Sequence, residues 1–268
     1  MLLKCSIFYT YLLVLIHIVT APLRKFTNVV DLINIDLILT SFLASIFPVC
    51  FRDDPQLSNC IVRAVNVLKP RLATGDLGDG FRTIRLDPLY IPKITYGSTS
   101  RLQTKLTNIY LKGLNNFKIE KLHANINDIK FDMLFSFPRI NMKSNYQMIF
   151  GYLGAPMFSE GQMLETFTNT KVRVVLKGRL YPKNGQRYFK FDPIYFKIVE
   201  NTITFVDFTN FFPTTSFLGP FVKNYFINNA EFLNSKVYPD FEKALSETFT
   251  YVANQVALSA TFDEAFPY

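Results

Sequence analysis

The 268-residue sequence contains no tryptophan, only two histidines and only three cysteines. His17 and Cys5 lie in an apolar N-terminal segment, so the remainder of the chain holds one imidazole and two thiols. A zinc site built from four protein ligands would need more nitrogen and sulfur ligands than this. The sequence also has no N-x-S/T sequon, so N-glycosylation is not expected.

Motifs that carry catalysis are also missing. There is no G-x-S-x-G nucleophile elbow and no histidine pair spaced to hold a metal. His123 alternates with apolar neighbours, which predicts a solvated position on a strand. The acidic pairs Asp53–Asp54 and Asp263–Glu264 are adjacent in sequence, as is typical of helix ends. We predict no enzyme, no cofactor and no metal, although catalysis by residues that only folding brings together stays open at this stage.

The N-terminus resembles a secretory leader. Residues 5–23 are apolar, Lys4 precedes them, and Val19-Thr20-Ala21 is a plausible cleavage site. A second apolar stretch at 37–50 offers another site, and an uncleaved signal anchor is the alternative. We predict a leader region at 1–47, a single domain at 48–268, and a secreted, extracellular protein.

Cleavage at either place would remove Cys5 and leave Cys50 and Cys60. A redox pair is normally spaced C-x-x-C, and these two cysteines are separated by nine residues. Two cysteines in a secreted chain favour a structural disulfide. Closing a loop of about 11 residues would stabilise the fold by about 3 kcal/mol on the chain-entropy model.

Charge and aromatic content constrain the partners. The formal net charge is +8, but the 29 basic residues are scattered, which is typical of a soluble basic surface. A binder of single-stranded nucleic acid would place aromatic residues among its basic ones. The basic positions of KVRVVLKGRL, residues 171–180, have no aromatic residue beside them, so no nucleic-acid partner is expected. This basic face could instead contact an anionic membrane surface during ligand transfer. The 28 phenylalanines suit a wide apolar interior.

The hydrophobic pattern predicts a mixed α and β protein. A helix should open at Asp53-Asp54-Pro55 and end at Gly75, with an apolar stripe along one side. Alternating residues between 131 and 205 predict long antiparallel strands, with a hairpin turn at Asn184–Gly185. Residues 218–236 and a last segment from Pro239 predict helix.

Six segments in this order resemble the insect Takeout and juvenile-hormone-binding family. They are the cysteine pair in CFRDDPQLSNC, then DPLYIPKI, YLKGLNNFKIEKL, FSFPRINMKSNYQMIFG, VRVVLKGRL and the closing KVYPDFEKALSETFTYVANQVALSATFDEAFPY. The resemblance covers about residues 48–268. It implies an α+β fold in which a highly curved antiparallel sheet wraps a long C-terminal helix, related to tubular lipid-binding proteins, with Cys50 bonded to Cys60.

The resemblance also implies a carrier for a small lipophilic ligand, such as a juvenile-hormone-like terpenoid or a fatty-acyl compound, held in an internal apolar tunnel. We expect a monomer. The alternative is a secreted interaction protein whose core is filled by its own side chains. Tyr146 and Tyr152 are the expected contacts to a ligand head group. The residues expected to line the tunnel are Phe131, Met133, Phe135, Phe137, Ile140, Met142, Tyr146, Met148, Phe150, Tyr152, Val172, Val174, Leu176, Ile203, Phe205, Phe241, Leu245, Phe249, Val252 and Val256.

Overall fold

The computed structural model describes residues 49–78, 81–99, 102–152, 155–211, 233–258 and 260–268, with isolated positions between 220 and 231. All of these lie in the compact unit Ala44–Tyr268. The predicted leader and most of the predicted helix at 218–236 lie outside the described residues.

Helix α1 spans Leu57–Thr74. Asp54 accepts a hydrogen bond from the backbone N–H of Gln56 (2.7 Å), which supports the turn before the first helical residue. Gly75 ends the helix in the left-handed conformation, at φ 78°, and its N–H reaches the Arg71 carbonyl. A disulfide joins Cys50, in the preceding coil, to Cys60 in the helix, so the predicted pairing is confirmed.

Two long strands form the centre of a seven-stranded antiparallel sheet. These are β6, Lys130–Tyr152, and β7, Ala155–Lys183, which pair with each other over their whole shared length. The other strands are β1 (Asp76–Gly78), β2 (Phe81–Arg82), β3 (Leu89–Thr99), β4 (Leu102–Lys112), β5 (Lys118–Asn125), β8 (Gln186–Phe191) and β9 (Tyr195–Phe208). The sheet order is β3-β4-β6-β7-β8, β5 also pairs with β6, β9 also pairs with β7, and β1 and β2 form a separate ribbon.

The inward face changes parity halfway along the β6–β7 pair. On β6, odd-numbered residues face inward up to Phe137, and even-numbered residues do so from Ile140 onward. On β7 the change falls at Asn169, whose φ of 52° is in the left-handed region that asparagine tolerates. Pro138 lies directly opposite Asn169, between the pairs Phe137–Thr170 and Arg139–Thr168. The two halves of β6 therefore form one continuous strand with an inversion at its middle.

Helix α2, Tyr238–Ala257, packs on this sheet through two stripes. Its apolar stripe, which includes the predicted lining residues Phe241, Leu245 and Phe249, faces the interior. Its polar residues recur every four positions and form hydrogen bonds with the backbone of the strands packed against the helix. Asn254 contacts both the N–H (2.7 Å) and the carbonyl (3.1 Å) of Phe191, and Glu242 accepts from the N–H of Ile198 (2.9 Å). The helix therefore takes the place that a further strand would occupy.

The C-terminal segment packs against the coil before α1 and against β8. Helix α3, Phe262–Ala265, follows a short break after α2 and opens with a capping box between Thr261 and Glu264. Asp263 accepts from Nη2 of Arg52 (2.8 Å) and from Nε of Arg187 (2.9 Å). The hydrogen bond from Arg187, together with Arg52, holds the pKa of the Asp263 carboxyl below its usual range. The predicted fold class, a curved antiparallel sheet around a C-terminal helix, is confirmed.

Candidate functional site

Two neighbouring cavities lie on the inner face of the sheet; helix α2 lines both of them, and helix α1 lines the larger one. We call them the large chamber, with a volume of about 350 Å³, and the small chamber, with a volume of about 90 Å³. The residues that line both chambers are Leu114, Phe137, Val172, Phe196 and Phe249. Phe196 and Phe249 stack at this shared wall with their ring planes 7° apart. Strand β9 and helix α2 therefore meet at the boundary between the chambers.

The large chamber is lined by apolar side chains wherever the structure describes its wall. The 28 described lining residues are all alanine, valine, leucine, isoleucine, methionine, phenylalanine or cysteine, and nine of them are phenylalanine. Helix α1 contributes its apolar stripe, including Ile61, Leu68 and Leu72. The disulfide residue Cys50 and Phe266 of the C-terminal segment also line it, beside residues of the sheet and of α2. These side chains offer a ligand dispersion contacts.

The small chamber differs because one side of its wall is polar. Strand β7 has one more residue than β9 at the inversion, since Asn169 and Thr170 face the single residue Asn201 between the pairs Thr168–Thr202 and Lys171–Glu200. This bulge directs Thr170 into the chamber, where its hydroxyl donates to Oδ1 of Asn201 (2.7 Å). Nδ2 of Asn201 donates in turn to the hydroxyl of Tyr238 (3.0 Å), at the start of α2.

Glu165 also lines the small chamber, and no other charged residue is found among the described residues that line either chamber. It lies on β7 between Met142 of β6 and Val206 of β9. Burial raises the pKa of its carboxyl to about 8, because desolvation disfavours the charged form. Tyr96 and Tyr238 face the same chamber, and burial, with a smaller effect from the Glu165 charge, raises the pKa of each phenol.

Fifteen of the twenty residues predicted to line a tunnel do line one of the chambers. They are Phe131, Met133, Phe135, Phe137, Ile140, Met142, Val172, Val174, Leu176, Ile203, Phe241, Leu245, Phe249, Val252 and Val256. Their part in binding a ligand stays a prediction.

Three of the remaining five residues, Tyr146, Met148 and Phe205, line neither chamber. The side chains of Phe150 and Tyr152 are not among those that the structure describes. Met148 and Tyr146 are each 1% exposed, but they pack away from both chambers. The Tyr146 hydroxyl is engaged internally, within hydrogen-bonding distance of the Ser159 hydroxyl (3.0 Å) and donating to the Thr209 carbonyl (2.9 Å). Its expected position beside a ligand head group is therefore wrong.

The placement of Phe205 in the tunnel is also wrong. Its side chain is 47% exposed and lies on the outer face of the sheet. Simple alternation from Ile203 would turn Phe205 inward, but β9 carries one extra residue between the pairs Phe167–Ile203 and Thr166–Phe205. That irregularity inverts the face, and Val206 is the residue that points inward.

The polar wall of the small chamber was missed by the sequence reasoning. Glu165 lies between Met163 and Phe167, two apolar residues of the same parity, so an alternation analysis of residues 161–170 could have placed it inward. Asn201 and Thr170 carried no such signal, because the bulge that turns them inward depends on the pairing of β7 with β9.

In the part of the chain that the structure describes, no three side chains of the histidine, cysteine, aspartate and glutamate types come together as a metal site would require. None of the described helices is both long and apolar enough to span a membrane.

Comparisons with known proteins agree with this architecture. The crystal structure of Takeout 1 from Epiphyas postvittana matches with a TM-score of 0.62 and 18% sequence identity, covering 82% of this chain and 99% of that chain. A lipopolysaccharide binding protein matches with a TM-score of 0.34 and 10% identity, covering 75% of this chain and 37% of that chain. No curated protein sequence matches. The model of the haemolymph juvenile hormone binding protein family matches residues 32–267, and the chain therefore belongs to that family.

Proposed function

We propose that this protein is a secreted carrier that holds a small hydrophobic ligand, a juvenile-hormone-like terpenoid, a fatty-acyl compound or a related lipid, in the large chamber. The observation that carries the proposal is the wall of that chamber, where all 28 of the described lining residues are apolar around a volume of about 350 Å³. Ligand sites typically measure about 300–1,000 Å³. Membership of a family described as hormone-binding supports the same class of ligand.

The energetics of such a site are favourable without any polar contact. Burying a chain of about 12 methylenes contributes about 10 kcal/mol at about 0.8 kcal/mol each, before the entropy of association is subtracted. Affinity at or below the micromolar range is therefore within reach of a purely apolar chamber.

The alternative is an interaction protein whose core is filled by its own side chains. The volume of the large chamber argues against it, because ordinary protein interiors contain few voids larger than a water molecule. A cavity of about 150 Å³ already admits benzene, and the large chamber exceeds that volume twofold.

Contact with an anionic membrane during ligand transfer receives less support from the outer face of β7. Three of the four basic residues within residues 171–180 are paired with carboxylates on neighbouring segments. Lys171 pairs with Glu200, Arg173 with Asp132 and Arg179 with Asp192. These pairs neutralise much of the positive charge that an anionic surface would attract. Loss of vesicle binding at raised salt would support a membrane contact, and no binding at low salt would remove it.

Mass spectrometry under native conditions tests the carrier directly. We expect the protein, purified from the medium of secreting cells, to carry a lipophilic adduct at close to one per chain, and organic extraction to remove it. A protein that is not exported would overturn the secreted assignment. A clean apo mass, with no uptake from a panel of fatty acids, terpenoids and quinones, would instead favour the interaction protein.

A matched pair of variants locates the ligand. Val174 is buried and lines the large chamber, while Val175, the next residue of β7, lies on the opposite face of the sheet. Val174→Phe should fill part of the chamber and lower the amount of adduct, and Val175→Phe should leave the adduct unchanged. Equal retention by both variants would place the ligand elsewhere.

A further inference from the structure

The polar wall of the small chamber contains hydrogen-bonding capacity that the protein itself does not use. Tyr238 accepts a hydrogen bond from Asn201, so the proton of its own hydroxyl remains available for donation. Thr170 is already committed to Asn201, which fixes the amide so that its Nδ2 points at Tyr238. This relay of Thr170, Asn201 and Tyr238 orients one donor toward the chamber.

Glu165 supplies the second group. Among the described residues, no hydrogen bond or ion pair reaches its carboxyl, and desolvation is the sole cause of its raised pKa. A polar group in an apolar wall gains free energy from a hydrogen bond, and this carboxyl, which is partly accessible beside the chamber, has no described partner to provide one. In its neutral form the carboxyl is a donor as well as an acceptor.

The groups that face Glu165 include no cation in the described structure. Strand β3 presents Tyr96 and helix α2 presents Tyr238, whose pKa values are both raised. The neighbouring strands β6 and β9 present Met142 and Val206. No lysine, arginine or histidine lines the described chamber. A ligand with an anionic end would therefore meet no counter-charge here.

We propose that Glu165 and Tyr238 form a head-group site that selects lipids ending in a neutral oxygen acceptor, such as a ketone or ester carbonyl. The proposal rests on the carrier function and adds the chemical class of the ligand. The head lies in the small chamber and accepts hydrogen bonds from the Glu165 carboxyl and the Tyr238 hydroxyl. The apolar chain extends past Phe196 and Phe249 into the large chamber.

Binding of such a ligand depends on pH in a definite direction. The carboxyl donates only while it is protonated, which holds below its folded pKa of about 8. As the pH rises through that value, the donor becomes a carboxylate that repels the carbonyl oxygen. Both phenols keep their protons over this range, because their pKa values are shifted upward. Selectivity for a carbonyl should therefore be highest at pH 6 and fall by pH 9.5.

Three probes of similar chain length test the site. They are 2-tridecanone, tridecane and dodecylammonium, each used to displace a fluorescent naphthylamine dye from the delipidated protein at pH 6 and at pH 9.5. At pH 6 we expect the ketone to bind about fivefold more tightly than the alkane, which is the effect of about one hydrogen bond. At pH 9.5 that advantage should largely disappear.

Variants separate the site from the fold. Glu165→Leu and Tyr238→Phe should each lose part of the ketone advantage at pH 6 while binding tridecane as well as the wild type does. Glu165→Gln retains a donor that does not titrate, so its preference should become independent of pH. Glu160→Gln, an exposed position on the same strand, is the matched control and should behave as the wild type.

Each outcome decides between the two proposals. If neither the ketone nor the alkane displaces the dye, the carrier function is wrong. If both bind equally at pH 6, and Glu165→Leu does not alter their ratio, the carrier stands and the head-group site is wrong. A preference for dodecylammonium that depends on Glu165 would overturn the neutral acceptor in favour of a cationic ligand.

Discussion

Ionisation of Glu165 should make the folded protein less stable as the pH rises from 5 to 8. Its carboxyl has a pKa of about 8 in the folded protein and about 4.5 in the unfolded chain. Between these values the folded state holds about one more proton than the unfolded state, so the free energy of unfolding falls by about 1.4 kcal/mol per pH unit. The stability associated with the neutral carboxyl is fully present below pH 4.5 and is lost as the pH approaches 8. Over the interval from pH 5 to 8 the loss amounts to at most about 4 kcal/mol.

The substitution Glu165→Gln isolates this contribution, because all other titrating groups cancel when the variant is compared with the wild type at each pH. Urea unfolding of the delipidated protein, followed by far-ultraviolet circular dichroism or tyrosine fluorescence, gives both free energies; the chain has no tryptophan. We expect the variant to gain on the wild type steadily from pH 5 to 8. Glu160→Gln on the exposed face is the control. A difference that stays constant within about 0.5 kcal/mol across this range would refute the burial of a neutral carboxyl.

Two further predictions concern the framework around the chambers. Cys60→Ala should lower the free energy of unfolding by about 3 kcal/mol, because it frees the loop closed by the disulfide. Reduction of the disulfide in the wild type should have a similar effect. A loss below about 1 kcal/mol would show that the coil before α1 is held by other contacts. Asn254→Ala should destabilise the protein by about 1–3 kcal/mol, because it leaves the N–H and carbonyl of Phe191 without their partner. Glu247→Ala, on the exposed side of the same helix, should cost less, and equal losses in urea unfolding would contradict the role of the polar stripe.

The sequence predicted the parts of the fold that depend on local periodicity. Alternation along β6 and β7 and the four-residue spacing along α2 identified most inward residues, since burial of one face requires these periods. Gly75 and the turn at Asn184–Gly185 were readable because their backbone conformations favour those residue types, and Asn184 and Gly185 do have φ of 52° and 76°.

Features that depend on pairing between distant segments were not predicted. Phe205 was assigned inward because alternation assumes a regular strand, and an extra residue in β9 reverses that face. The polar stripe of α2 could not be interpreted either, since Asn254 and Glu242 have partners 63 and 44 residues away. Tyr146 was chosen as a polar contact for its residue type, but its hydroxyl satisfies the backbone of Thr209 instead.

The inversion at Pro138 and Asn169 divides the β6–β7 pair into two segments that can diverge separately. Residues of one parity on one side of this point line the large chamber, and residues of the other parity on the other side line the small chamber with its polar wall. A substitution such as Val174→Phe changes the length of chain that fits without touching the position of Glu165. Related proteins could thus exchange one ligand for another by altering tail length or head-group preference one at a time, on the same pair of strands.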